Sequence, residues 1–295
     1  MFKSLVVYRL TGELPASDRA LTEALRRRRF SACAATQERS LGWAPPRGDD
    51  HDALIERVAG HSWLRMKIEQ KILPASVVAR HAEEKAARRD TKREVRRGKR
   101  DLRDEARLEL LPRAFSRIDS RRIWIDHQRE RVVIEAATSK LADEIAASML
   151  ATFEDIRLAP LATQRSPTAV MAGWLTHFDL PGQLALDRDC ELIAMDETRA
   201  VVRYSRHHIE SDEVRRHIQS GKMPREVGLT WAGRVAFVID DAFRLKRIRY
   251  LAIEVGPETS DDEEERFDTA ATLTVGELGP IIDELIAAHD GVIDR

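Results

Sequence analysis

KILPASVVARHAEEKAARRDTKREVRRGKRDLRDEARLELLPRAFSRIDSRR, residues 71–122, is the stretch whose reading decides the fold. Pro74 and Pro112 bracket it, as prolines do where helices start and stop. Between them lie mostly Ala, Glu, Lys, Arg and Leu, the strong helix formers. From residue 80 to 122, sixteen Lys/Arg stand against nine Asp/Glu, a local excess of +7 in a chain whose formal net charge is −1. Apolar residues almost vanish between 88 and 100, so that part has no face to bury. It must project into water or toward something negative. Residues 75–97 read as one helix, Gly98 as its stop and 101–111 as a return helix. The result is a charged helical hairpin arm, 75–111, with Val95, Leu102 and Ala106 as its thin seam.

Working outward, the arm interrupts an α+β pattern. Before it, residues 3–10 (KSLVVYRL) read as an opening strand ended by Thr11-Gly12. Residues 17–29 read as a helix capped by Ser17 or Asp18, with Leu21 and Leu25 one turn apart. Residues 30–38 and 62–73 read as strands, and the Pro/Gly segment between them as a loop whose Trp43 packs on the sheet edge. After the arm, 121–126 and 131–136 read as paired strands and 139–153 as an amphipathic helix with Leu141, Ile145 and Met149 on one face. Residues 156–161 read as a strand, and Ser166-Pro167 opens a further helix. Short strands follow at 190–195, 200–205, 226–231, 234–239 and 245–253, interrupted by a helix at 211–220 and closed by one near 276–289. We therefore expect mixed or antiparallel sheets in a central domain (1–74 with 112–165) and a second α+β domain (166–295), the arm projecting between.

Composition narrows the function classes. The chain has 295 residues, 43% apolar and 34% charged, enough for one large core or two to three smaller ones. No apolar run approaches the roughly 18 residues of a membrane span, and the N-terminal apolar stretch is too short for a secretion signal. Cys33 and Cys190 form no CxxC or Cys/His pattern, which fits a reducing, cytoplasmic setting. The near-zero total hides an asymmetry: residues 258–268 (ETSDDEEERFD) carry seven acidic groups and one arginine. A basic region set apart from an acidic one points to a polyanion partner for the first; two solvated faces are the alternative.

Catalytic motifs are scarce. GxxxxGK[ST], GxGxxG, GxSxG and HExxH are absent, so nucleotide hydrolysis, dinucleotide chemistry, esterase and zincin activities lose their usual support. His207, His208 and His217 cluster in sequence, but adjacent residues at a strand end point to opposite faces. No metal site is expected there. Asp240-Asp241 could hold Mg²⁺ in a structure-selective nuclease, yet they lie between two strands, where Asp is an ordinary turn residue. What remains is electrostatic. Arg88, Arg89, Lys92, Arg93, Arg96, Arg97, Lys99 and Arg100 recur at three- to four-residue spacing and would form a basic stripe on a helix. Arg26–Arg29, Arg117, Arg121, Arg122 and the cluster Lys246, Arg247, Arg249 also suit phosphate. Few aromatics interleave with the stripe, which favours duplex backbone contacts over base stacking.

Several stretches resemble one family, the recombination-associated protein RdgC of bacteria: LVVYRL (5–10), GWAPPRG (42–48), KILP (71–74), LLPRAFSR (110–117), WID (124–126) and the Gly221-Lys222 turn. They come in the family's order along essentially the whole chain; the charged arm matches in kind and length more than in identity. The resemblance implies a non-enzymatic, sequence-nonspecific protein without cofactor. It would form a ring-shaped homodimer around duplex DNA, bind single-stranded DNA as a further ligand, and limit the access of RecA recombinase. It also implies a nucleoid-associated location. A ring of two copies needs two separate two-fold contacts. Phe115, flanked by arginines at the base of the arm, reads as an interface anchor, or else packs under its own arm. Arg206 and His207 are the second candidate contact, with arginine and histidine where relatives often carry lysine and glutamine.

Overall fold

The computed structural model describes residues 1–15, 17–88, 99–251 and 263–293. Along β1 (Val6–Gly12), Val6, Tyr8 and Leu10 face one way while Val7 faces the other, and all four are buried. That pattern demands cover on both faces of the sheet. The same holds where Trp63 alternates with Leu64 and Met66 in β4 (His61–Lys71), Trp124 with Ile123 and Ile125 in β5 (Ser116–Asp126), and Val133 with Val132 and Ile134 in β6 (Arg131–Ile134). With β2 (Arg39–Ala44), β3 (Glu56–Val58) and β7 (Ile156–Pro160) these strands form a seven-stranded sheet, ordered β2-β4-β5-β6-β1-β7 with β3 alongside β4. Every pairing between its named strands is antiparallel.

One face is covered by α1 (Asp18–Arg27) through Leu21 and Leu25, and by α4 (Ser139–Thr152) through Ala142, Ile145, Ala146 and Met149. Ser17 caps α1, its hydroxyl accepting the Ala20 N–H at 3.2 Å, as the sequence predicts. The other face joins a larger core with α5 (Pro167–His177), α7 (Glu263–Ala288) and a second sheet. That sheet is antiparallel, ordered β12 (Leu245–Tyr250), β11 (Val235–Asp240), β10 (Lys222–Trp231), β8 (Leu184–Ala194), β9 (Val201–Tyr204). A short α6 (Asp212–Gln219) precedes β10. The two sheets thus share one apolar core. A buried ionic group reinforces it: Arg131 reaches Asp126 at 3.1 Å and Asp283 of α7 at 2.7 Å.

Between β4 and β5 the chain forms α2 (Ala75–Arg88) and α3 (Lys99–Leu110), ending in a 3-10 turn at Leu111–Arg113. Their shared seam is small: Val78, Ala82 and Ala106, with Leu73, Leu102 and Leu110 partly buried around them. Val95 and Gly98, read from sequence as seam and stop, lie outside the described residues.

Three readings need correction. Residues 30–38 are not a strand: only an isolated bridge joins Arg29 to Trp43, and the segment then turns, with the Gln37 N–H on the Ala34 carbonyl at 3.0 Å. Trp43 does not sit in a loop but within β2, the edge strand of the sheet, fully buried, its indole N–H on the Thr152 hydroxyl at 2.8 Å. Gly42 makes this fit, since a Cβ there would lie 2.3 Å from the Phe30 Cα. The last helix begins by Glu263, well before residue 276. Phe267, Ala271 and Val275 continue its apolar face upstream toward the acidic run, and acidic residues suit a helix N-terminus.

Two buried histidines make this core sensitive to acid. His61 lies edge-on to Trp124 at 5.4 Å, and His289 lies between Trp174 and Phe243 at 5.7 and 5.1 Å. Burial lowers the pKa of both, and around His61 the charges of Arg129 and Arg131 add to this against the pull of Asp126. An unfolded histidine titrates near about 6.5, so on acidification the unfolded chain takes up protons first. Stability is full above that pH and declines as pH falls toward the folded values. Urea midpoints should therefore be lower at pH 5.5 than at pH 7.5; equal midpoints would contradict this.

Candidate nucleic-acid interface

Backbone direction places the predicted cations in separate groups. Arg88 closes α2 and Lys99 opens α3, while Arg89, Lys92, Arg93, Arg96 and Arg97 lie outside the described residues. Arg100 and Arg103 on α3 and Arg113 in the turn after it are exposed and form no ion pair among the described residues. They are the least compensated cations near the α2–α3 pair.

At the foot of that pair, a groove of about 1130 Å³ runs between β4, β5 and the start of α4. Arg117 and Arg121 line it, joined by Arg39, Lys71 and Lys140. Two carboxylates answer these five cations. Arg39 holds Glu144 through two hydrogen bonds of 2.8 and 2.6 Å. Asp119 is shared between Arg117 at 2.6 Å and Arg121 at 3.6 Å. Ile68, Ile72 and Leu141 supply apolar lining. Arg122, one residue on, points elsewhere: it pairs with Glu135 at 3.0 Å, donates to the Met1 carbonyl at 2.9 Å and lies over the Phe2 ring. Its geometry is that of a structural cation.

The second sheet carries another groove, of about 860 Å³, lined by Arg247 and Arg249 with Lys3, Arg188 and Arg206. Two of these five cations, Arg247 and Arg249, have carboxylate partners. Arg249 faces Asp187 at 3.4 Å, and Arg247 faces Glu226 at 3.2 Å and Asp189 at 3.9 Å. Lys246 is mostly buried between Glu226 at 3.0 Å and Asp240 at 2.6 Å. Arg247 also has a positive φ of 51° beside a register shift in the β11–β12 ladder, which re-aims its side chain. Exposed pairs of this kind hold weakly, so phosphate could displace the carboxylates, but with less net gain than at an unpaired cation. Arg206, also at positive φ, is fixed by its N–H on Asp189 at 3.1 Å; the His207 Nδ1–H donates to the His208 carbonyl, 2.9 Å away.

The acidic alternative is tied down as well. Asp240 is buried; burial raises its pKa, but hydrogen bonds from Arg244 and Lys246 outweigh that and hold it low. Its other oxygen accepts the Ala242 and Arg244 N–H groups, both at 3.0 Å, so it shapes the β11–β12 turn. Asp241 is exposed on the same turn. Among the described residues no group of three His, Cys, Asp or Glu is placed to hold a metal ion, and no helix is long and apolar enough to cross a membrane.

Phe115 is 86% exposed, so it does not pack beneath its own helices. Ile72 and Ile118 nearby are each about half exposed, at 52% and 51%. Sequence reasoning missed Lys3, Arg39, Lys71, Lys140 and Arg188. Each stands outside any basic run, and only strand pairing and helix packing bring them to the grooves.

Fold and site together define a two-sheet α+β protein with cation-lined grooves and an inserted, highly charged helix pair. The comparisons with known proteins carry this further. A family model described as "Putative exonuclease, RdgC" matches residues 1–292. Recombination-associated protein RdgC of Bordetella pertussis is 34% identical over 295 residues, covering 98% of each chain. Its namesake in Dechloromonas aromatica is 33% identical over 300 residues, covering 99% of this chain and 98% of that one. That of Janthinobacterium is 32% identical over 299 residues, covering all of this chain and 99% of the relative. The chain belongs to the RdgC family.

Placing Arg122 in the structural group has a measurable consequence. Arg122→Ala leaves half-buried Glu135 without its partner, which costs about 1–3 kcal/mol. A lowered urea midpoint with DNA affinity little changed is the expected outcome; unchanged stability with weakened DNA binding would reverse the assignment.

Proposed function

We propose that this chain binds duplex DNA through its phosphates, without regard to base sequence, as a ring-shaped homodimer that restrains RecA-dependent recombination on the nucleoid. The observation that carries the reading is the uneven compensation of charge. Arg247 and Arg249 of the second sheet face carboxylates, whereas the segment from 80 to 122 holds its excess of +7 and three of its members, Arg100, Arg103 and Arg113, form no ion pair among the described residues. In this reading α2 and α3 belong to a projecting arm, 75–111, that supplies reach and field. Arg117 and Arg121 extend the positive surface to the sheet, and Arg247 and Arg249 add weaker contacts. Single-stranded DNA is a further ligand of the same surface. No cofactor is required.

Ring closure needs two self-complementary patches on each chain. Phe115, exposed between apolar neighbours, is the first; Arg206 and His207 are the second. An aromatic with that exposure suits an anchor in a partner's pocket.

Exonuclease activity, which the family description names, has less behind it because Asp240 is held by Arg244 and Lys246. Mg²⁺-dependent cleavage of DNA that disappears in Asp240→Ala would establish it.

Two substitutions test the proposal. Replacing Arg96 and Arg97 by Gln should weaken binding to unrelated duplexes equally and flatten the logarithmic salt dependence by about 0.9 for each phosphate no longer neutralised. A sequence-selective effect would contradict it. Phe115→Ala should lower the dimer fraction and the retention of protein on covalently closed circles; if both stay as in the parent chain, Phe115 is no interface anchor.

A further inference from the structure

Lys71, the last residue of β4, sits where three segments meet. Its ammonium donates to the carbonyls of Ala34, Ala35 and Leu111, each at 3.0 Å. An ammonium has three N–H donors, and all three are used. Leu111 belongs to the turn in which α3 ends, where helix geometry leaves carbonyls without partners. Ala34 and Ala35 belong to the irregular segment 30–38.

That segment is itself pinned to the sheet. Glu69 takes the Cys33 N–H at 2.7 Å, the Ser40 hydroxyl holds the Ser31 carbonyl at 2.6 Å, and the Glu38 carbonyl accepts from the Lys71 N–H at 2.8 Å and from Gln70 at 3.1 Å. The Ser116 hydroxyl and the Cys33 N–H keep the Glu69 carboxyl below its usual range despite burial. Segment 30–38 therefore acts as a fixed block. Lys71 ties the end of α3 to it, and Arg107 of α3 adds an ion pair to Glu38.

Apolar packing does not take over this task alone. Val78, Ala82 and Ala106 join α2 to α3, and among the described residues their cluster is separate from both cores. Leu111, in the turn that ends α3, is buried at the foot of the pair, and polar contacts share with it the direction of the pair relative to the sheet. Of these the Arg107–Glu38 pair is half exposed, at 50% and 39%, and such pairs contribute little.

We propose that Lys71 is the positioning residue that fixes the direction of the α2–α3 pair against the first sheet. It fixes the base of Phe115 as well, whose carbonyl accepts the Ile72 N–H at 2.7 Å. The purpose of this positioning rests on the DNA-binding reading above; the mechanical role does not.

The test reads direction without DNA. In the full chain with Cys33→Ser, cysteines replace exposed Glu83 on α2 and Leu150 on α4 and carry spin labels. Labelled chains are diluted with unlabelled chain so that only distances within one protomer are seen. Cys190 is buried, its thiol pushed up to about 12 by that burial, and stays unlabelled. The parent should give one narrow distance, and so should Lys140→Met, which removes an equal charge from the same groove. Lys71→Met should lose the narrow peak, with faster amide exchange at 33–38; should it not fold, Lys71→Gln serves in its place. A narrow, unshifted distance in the Lys71 variant overturns the proposal. Loss of the peak with undiminished retention on closed circles upholds the role of Lys71 and counts against the DNA-binding reading instead.

Discussion

The ladder between β4 and β5 is the constraint on which the rest depends. It runs from Ser62 opposite Ile125 to Lys71 opposite Ser116 without a register shift. At its inner end it sets Trp63 over Trp124, rings stacked at 6.3 Å, in the core shared by both sheets. At its outer end it brings residues 71 and 116 together, although residues 72–115 intervene. Enlarging such a connection costs little, about 0.6 kcal/mol for each doubling of its length. A helix pair can therefore replace a hairpin turn, provided the strands are paired firmly enough to close it. Slipping one strand of this ladder by one residue would put the two tryptophans on opposite faces.

Charge follows the same division. Near the core, cations are consumed by structure: Arg131 by Asp126 and Asp283, Arg122 by Glu135, Lys246 by Asp240 and Glu226. Away from the core, Arg100 and Arg103 on α3 and Arg113 in the turn that ends it form no ion pair among the described residues, while Arg107 pairs with Glu38. A cluster such as Lys246-x-x-Arg249 looks the same in sequence as the basic pairs of the helical insertion. Only the strands that carry Glu226, Asp187 and Asp240 tell them apart.

Much of the fold was legible in sequence because local signals agreed with the tertiary outcome. Ser17, Ser166 and Ser211 each cap a helix by accepting a nearby backbone N–H, and apolar spacing identified the buried faces of α1 and α4. Segment 30–38 misled because its order comes from Glu69, Ser40 and Lys71, all remote or on the next strand, and no local pattern encodes that. The acidic run hid the start of α7, since charge was read as a surface patch where it also suits a helix N-terminus. Of the candidate site, Phe115 is exposed, as an interface anchor needs to be, while most of the basic stripe lies outside the described residues. The groove cations Lys3, Arg39, Lys71, Lys140 and Arg188 could not be read in sequence, because single residues gather only through strand order.

The most direct test is equilibrium binding of the full chain to several unrelated duplexes across a range of salt concentration. The account predicts equal affinities at each salt and a steep linear fall of log K with log salt, about 0.9 per phosphate contact. A flat salt response, or affinities that separate by sequence, would contradict it.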